Sequence, residues 1–160
     1  MVFFSGAEII EVAVQIERNG FSFYKTLADS LKDKDTQDLF NHLAGEEEKH
    51  IKSFQSLYES FKEYTPDVAD KEEYYDYINM LASMNVFTKK EGIDEVVSRM
   101  KNKKDALDMA IRFEKDSVVF FTEIKGLVRE SEKDSVENLI CQEQSHLRRL
   151  LRLLKSEEQK

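Results

Sequence analysis

The sequence predicts an all-α protein: a four-helix bundle made of two helical hairpins joined by a long, partly helical crossover. Three observations carry this expectation. Only one Pro and five Gly punctuate the 160 residues, a balance that favours long helices over a sheet. Four long stretches repeat their apolar residues at the helical spacing. The second half of the chain also repeats the first at an offset of 96 or 97 residues. The length suits one domain, residues 1–160, with hairpins at 5–64 and 105–156 and the crossover at 65–104.

The first helix opens on Ser5-Gly6-Ala7-Glu8, which reads as a capping box. Ile10, Ala13, Val14, Glu17, Phe21, Tyr24, Ala28 and Leu31 then share one face, and the helix should end near Leu31 in a polar run. Asp35 or Thr36 is expected to cap the second helix, which should stop before Pro66. Its stripe is Phe40, Leu43, Ala44, Glu47, His50, Ile51, Phe54, Tyr58 and Phe61. Glu46 and Glu48 flank this stripe, and His42 falls nearly opposite it, on the surface.

In the crossover, Tyr74, Tyr75, Tyr77, Ile78, Leu81 and Met84 indicate a shorter helix, and Ile93 to Met100 another. Their tyrosines and methionines read as packing. The third helix starts near Asp105 and carries Leu107, Ala110, Ile111, Glu114, Val118, Phe121, Ile124 and Val128. A cap-like turn at Ser131-Glu132-Lys133-Asp134 precedes the fourth, whose face is Val136, Leu139, Ile140, Glu143, His146, Leu147, Leu150 and Leu154. Arg148, Arg149 and Arg152 suit the helix dipole and solvent.

Composition excludes several classes. A net charge of −8 argues against nucleic acid or anionic membrane as a main partner. The single Cys141 rules out an internal disulfide, a zinc ribbon or a Cys₄ iron site within this chain. It is expected to be a small buried hydrophobe facing away from the bundle centre. No segment looks like a signal peptide or a membrane span, so a soluble cytoplasmic protein is expected.

The repeat locates the chemistry. Glu17 followed by Phe23-Tyr24 parallels Glu114 followed by Phe120-Phe121. Leu43, Glu47 and His50 parallel Leu139, Glu143 and His146. In each hairpin about 30 residues separate the lone Glu from the Glu-x-x-His, so an antiparallel pair of helices brings them to similar heights. Packed face to face, the hairpins would bring Glu17, Glu47, His50, Glu114, Glu143 and His146 together in the core. Unpartnered buried carboxylates cost several kcal/mol each. Four carry −4, which two divalent cations neutralise. A Glu on each of two helices plus a Glu-x-x-His on each of the other two is the general ligand rule of ferritin-like di-iron and di-manganese proteins. Such oxygen and imidazole donors suit iron or manganese, and zinc also fits.

Tyr24, two turns beyond Glu17 on the same face, either hydrogen-bonds a ligand carboxylate or is a core tyrosine with its hydroxyl satisfied elsewhere. Its repeat-mate Phe121 lacks the hydroxyl. Gly45 either permits close helix approach or is simply tolerated at about 1 kcal/mol relative to Ala.

These residues resemble the rubrerythrin group of the ferritin-like superfamily, through Ile16-Glu17 with Phe23-Tyr24, Glu46-Glu47-Glu48-Lys49-His50, Phe113-Glu114-Lys115-Asp116-Ser117 and Glu143-Gln144-Ser145-His146. The resemblance covers the four bundle helices and not the crossover. It implies two iron ions bridged by Glu47 and Glu143, with Glu17, Glu114, His50 and His146 as terminal ligands. It further implies reduction of hydrogen peroxide or dioxygen. The chain departs from that pattern twice. It has no rubredoxin-like Cys₄ domain, so an external electron-donor protein, rubredoxin-like or other, is expected. Ser117 stands where the group carries a second glutamate one turn after the third-helix ligand, and Gly20 is its repeat equivalent. Iron oxidation and storage, or a metal pair that only stabilises a binding module, are the alternative functions, and a homodimer is an allowed assembly.

Overall fold

The computed structural model describes residues 6–61, 64, 70–84 and 92–159. Six α-helices account for most of them: α1 (Gly6–Ser30), α2 (Lys34–Phe61), α3 (Lys71–Met84), α4 (Ile93–Ser98), α5 (Lys103–Leu127) and α6 (Lys133–Glu157). No strand occurs among the described residues. The expected cap at Ser5 and the stop at Pro66 lie outside them.

α1 packs along α2 and α5 along α6, each pair antiparallel through a short turn, and α1 also meets α5. The α1–α2 turn is closed by a residue earlier than expected. Asp33, rather than Asp35 or Thr36, accepts from the Thr36 backbone N–H at 3.1 Å and from its hydroxyl. It thereby satisfies one of the orphan donors of the first turn. Asn102 does the same for α5, accepting from the Asp105 N–H at 3.0 Å, while Asp105 accepts from the Lys101 N–H. α6 starts differently. A single 3₁₀ turn, Glu130–Glu132, leads into it without any side-chain cap.

Lys103 clasps one end of the bundle, reaching Asp33 at 3.1 Å and Glu157 at 2.9 Å. The end of α1, the starts of α2 and α5 and the end of α6 therefore meet there. α1 and α6 run one way, α2 and α5 the other.

The crossover lies on the outside of the bundle, with α4 against α1 and α3 against α5. Tyr74 and Tyr77 donate to Glu123 of α5. Only one face of α3 is covered. Tyr75 and Ile78 join the core, whereas Tyr77, Met80 and Met84 are exposed, so not all of the tyrosines and methionines expected to pack do so. The core is otherwise continuous through all four long helices and rich in Phe. No helix among the described residues is long and apolar enough to cross a membrane.

Candidate metal centre

Halfway along the four long helices, the apolar stripes are interrupted by the only buried acids and imidazoles among the described residues. Glu17, Glu47, Glu114 and Glu143 have no exposed surface; His50 and His146 are 1% and 3% exposed. Each projects inward because it occupies a core-facing position of its helix, where the 3.6-residue period would otherwise place a Leu or Phe. The three-glutamate run resolves as geometry requires: Glu47 is buried, Glu46 is half-buried and Glu48 is exposed.

The six side chains form two overlapping groups. Glu17, Glu47, His50 and Glu143 make one; Glu47, Glu114, Glu143 and His146 make the other. Within each, one donor atom per residue lies within 4.8 Å of all the others. Glu47 and Glu143 belong to both. The two imidazole rings lie side by side, 5.5 Å between centroids and 18° from parallel.

His50 Nδ1 is 3.2 Å from Glu17 Oε2, 2.6 Å from Glu143 Oε1 and 3.6 Å from Glu47 Oε2. His146 Nδ1 is 3.2 Å from Glu143, 3.6 Å from Glu114 and 3.7 Å from Glu47. These contacts do not use up the acceptors. Glu17 Oε1, both oxygens of Glu47, Glu114 Oε2 and Glu143 Oε1 are buried without a hydrogen bond; the approach of Glu143 Oε1 to His50 is close but lacks hydrogen-bond geometry. Orphaned carboxylate oxygens are rare inside proteins and expensive. Here they all point at one place.

The electrostatics follow. Burial pushes the carboxyl groups of Glu47 and Glu114 well above the usual range, and that of Glu17 upward, with neighbouring carboxylates adding to the effect. Burial opposes charge on the imidazoles too, but the surrounding glutamates win. His50 is held above its ordinary value and His146 is raised to about 9. Burial also opposes the charge of Glu143, yet the two histidines keep its carboxyl low. Without metal, then, imidazolium ions and shared protons do the neutralising. With four carboxylates and two imidazoles in two four-donor groups, the site fits a pair of divalent cations such as iron or manganese.

Aromatic rings seal both ends of the centre. Towards the clasped end, Tyr24 stacks on Phe40 at 5.8 Å and meets the edge of Phe113 at 5.9 Å. On the opposite side, Phe54 and Phe121 are 4.7 Å apart. The Tyr24 hydroxyl donates to Glu114 Oε1, which resolves the choice between a partner at the site and one elsewhere. Ser117, one turn beyond Glu114, is fully buried with its Oγ unpartnered.

The structure decides the open reading of Gly45, gives Gly20 a packing role and overturns the expected burial of Cys141. A Cβ at Gly45 would meet nothing within 4 Å, so this glycine is tolerated rather than required for close approach. Gly20 is the close approach: a Cβ there would lie 2.5 Å from Phe113 Cζ and 3.4 Å from the Glu47 carboxyl carbon. Cys141 is exposed rather than buried, because its position on α6 turns it past the flank of the stripe into solvent. His42 is on the surface as expected, 2.5 Å from Arg149 Nη1. Sequence reasoning missed Gln142, whose Oε1 is 3.0 Å from His50 Nε2. The repeat offset of 96 aligns it with Glu46, the residue before Glu47, and that register was the available signal.

The sequence profile of the rubrerythrin family matches residues 8–154. A solved structure from Thermotoga maritima, described as a candidate ferritin-like diiron-carboxylate protein, superposes with a TM-score of 0.74 at 25% identity, covering 97% of each chain. No curated protein sequence matches significantly.

Proposed function

Because this chain belongs to the rubrerythrin family, we propose that it is a non-haem di-iron oxidoreductase that reduces hydrogen peroxide or dioxygen with electrons from an external donor protein. One observation carries the reading: two four-donor groups share Glu47 and Glu143 in a fully buried core. Glu17 and His50 would complete one metal position, and Glu114 and His146 the other. A ferrous pair held there would supply two electrons, enough to reduce hydrogen peroxide to water or dioxygen to the peroxide level.

The chain's own residues supply the rest. The four carboxylates bring −4 into a region that excludes water, so they favour two divalent ions over one. Tyr24 keeps its proton, its hydroxyl held well above the usual range by burial and by Glu114, and so remains a donor that orients the Glu114 carboxylate. The Phe23, Phe40, Phe54, Phe113 and Phe121 rings keep bulk solvent out, which limits leakage of reactive oxygen products. Ser117, smaller than the glutamate found at this position in the family pattern, offers a free hydroxyl where a carboxylate would otherwise crowd. One cysteine cannot build a Cys₄ iron site, so in this proposal the donor lies outside these 160 residues.

The test is elemental analysis of protein purified without oxygen, followed by peroxide. Iron near two per chain and rapid, stoichiometric oxidation of the ferrous form are expected. Ferrous protein that reacts no faster than free iron would sink the peroxidase reading.

A further inference from the structure

The two metal positions have matching ligands but different surroundings, and one of the differences sits at the repeat-related pair Gln142 and Glu46. Gln142 of α6 reaches across to α2, where its Oε1 is 3.0 Å from His50 Nε2. An amide oxygen only accepts, so Nε2 carries the proton and Nδ1 is the atom turned to Glu17, Glu47 and Glu143. At the equivalent place in the first repeat stands Glu46, a half-buried carboxylate paired with Lys49 at 2.5 Å. His50 therefore faces a neutral amide, whereas the repeat-mate of that amide is a carboxylate engaged with a lysine.

We propose that Gln142 is a positioning residue that sets the metal affinity of the position built from Glu17, Glu47, His50 and Glu143, leaving the His146 position to be set independently. The inference rests on the dimetal reading above. Its physical basis is that a partner on the remote ring nitrogen fixes the tautomer and tunes ligand basicity, a carboxylate more strongly than an amide. Binding of a metal ion at Nδ1 displaces the proton from that atom alone. The Nε2 proton stays on the Gln142 hydrogen bond, so the ring need not rotate or exchange tautomers. Tyr24 differentiates the positions as well, but it acts on Glu114, at the other one.

Gln142 can be altered without disturbing the core. Its side chain lines an open groove of about 460 Å³ between α2 and α6, with Ser53, Ser56, Leu57, Ser135 and Asn138. Gln142→Leu keeps the side-chain volume and removes the acceptor. Gln142→Glu keeps an acceptor and adds charge.

The experiment is an anaerobic titration of the whole metal-free chain with cobalt(II), followed by calorimetry and by the visible ligand-field bands. Wild type should show two binding steps. Gln142→Leu should weaken one step by about 10- to 100-fold and leave the other unchanged, and Gln142→Glu should restore or tighten the same step. Asn138→Leu, on the groove but away from His50, should move neither. If Gln142→Leu leaves both steps intact, or shifts both together, the proposal fails while the metal centre stands. Wild-type protein that takes up no cobalt pair would overturn both readings.

Discussion

The hydroxyl of Tyr24 in α1 donates to Glu114 in α5, joining the two hairpins across ninety residues of sequence. Both residues are fully buried. Phe121, in the corresponding place of the second repeat, packs on Phe54 instead, so nothing equivalent holds Glu17. The bundle is symmetric in its ligands and asymmetric in what steadies them.

Tyr24→Phe removes this bond while keeping the ring against Phe40 and Phe113. Loss of a buried hydrogen bond to a carboxylate costs about 1.5–3 kcal/mol. Chemical denaturation of the metal-loaded protein should show that loss, and the metal step involving Glu114 should weaken. An unchanged midpoint and unchanged affinity would mean that the hydroxyl neither steadies the fold nor orients the ligand.

Metal-free protein should lose stability as pH rises from about 6.5 to 9. The sign follows from proton counting. His146 titrates near 6.5 when unfolded and about 9 when folded, so between those values the native state binds more protons and stability falls with pH. Its contribution is complete below 6.5 and gone above 9. The raised carboxyl groups of Glu17, Glu47 and Glu114 act in the same direction from 4.5 upward. Glu143, held low, acts oppositely: its contribution is present above 4.5 and lost in acid. Metal replaces these protons, so the loaded protein should show a much flatter profile of Tm against pH. Parallel profiles for the two forms would contradict this account.

The two helical glycines near the centre should respond in opposite ways to alanine. At Gly45 the new methyl meets nothing, and the gain in helix propensity should stabilise by up to about 1 kcal/mol. At Gly20 it meets the Phe113 ring at 2.5 Å, and overpacking of this kind costs about 1–3 kcal/mol. Because Phe113 adjoins Glu114, Gly20→Ala should also weaken metal binding. Thermal melts of the two variants decide the matter, and stabilisation by Gly20→Ala would show that Phe113 has room to move.

The fold and the six inward side chains are legible in the sequence because one signal, the 3.6-residue period, governs both. A Glu that falls on the stripe must be buried wherever the stripe is buried. The repeat then pairs the hairpins without any tertiary information. What the period does not encode is contact between flanks. Gln142 lies off the stripe, and its reach to His50 depends on how α2 and α6 approach one another. The exposure of Cys141 is hidden for the same reason, since a residue beside a stripe is covered only if a neighbouring helix leans over it. Asp33 does not stand out as a cap because Asp35 and Thr36 are chemically equal candidates, and the turn geometry alone selects among them.

Stability and metal binding should part company at Glu47. It belongs to both four-donor groups, and neither of its oxygens has a hydrogen bond. Glu47→Gln keeps the shape and removes the charge. In the metal-free protein burial, with Glu17 and Glu143, forces Glu47 to take up a proton on folding; a neutral amide removes that cost, so unfolding at neutral pH should become harder by about 1 kcal/mol or more. In the loaded protein the same change removes a donor from both positions, and metal content should fall towards zero. Glu17→Gln touches one group only and should spare the other ion. Denaturation of metal-free samples alongside metal analysis of loaded ones reads both effects. A Glu47→Gln protein that binds two ions normally would mean that Glu47 is not shared between them, and the geometry at the centre of the bundle would need another explanation.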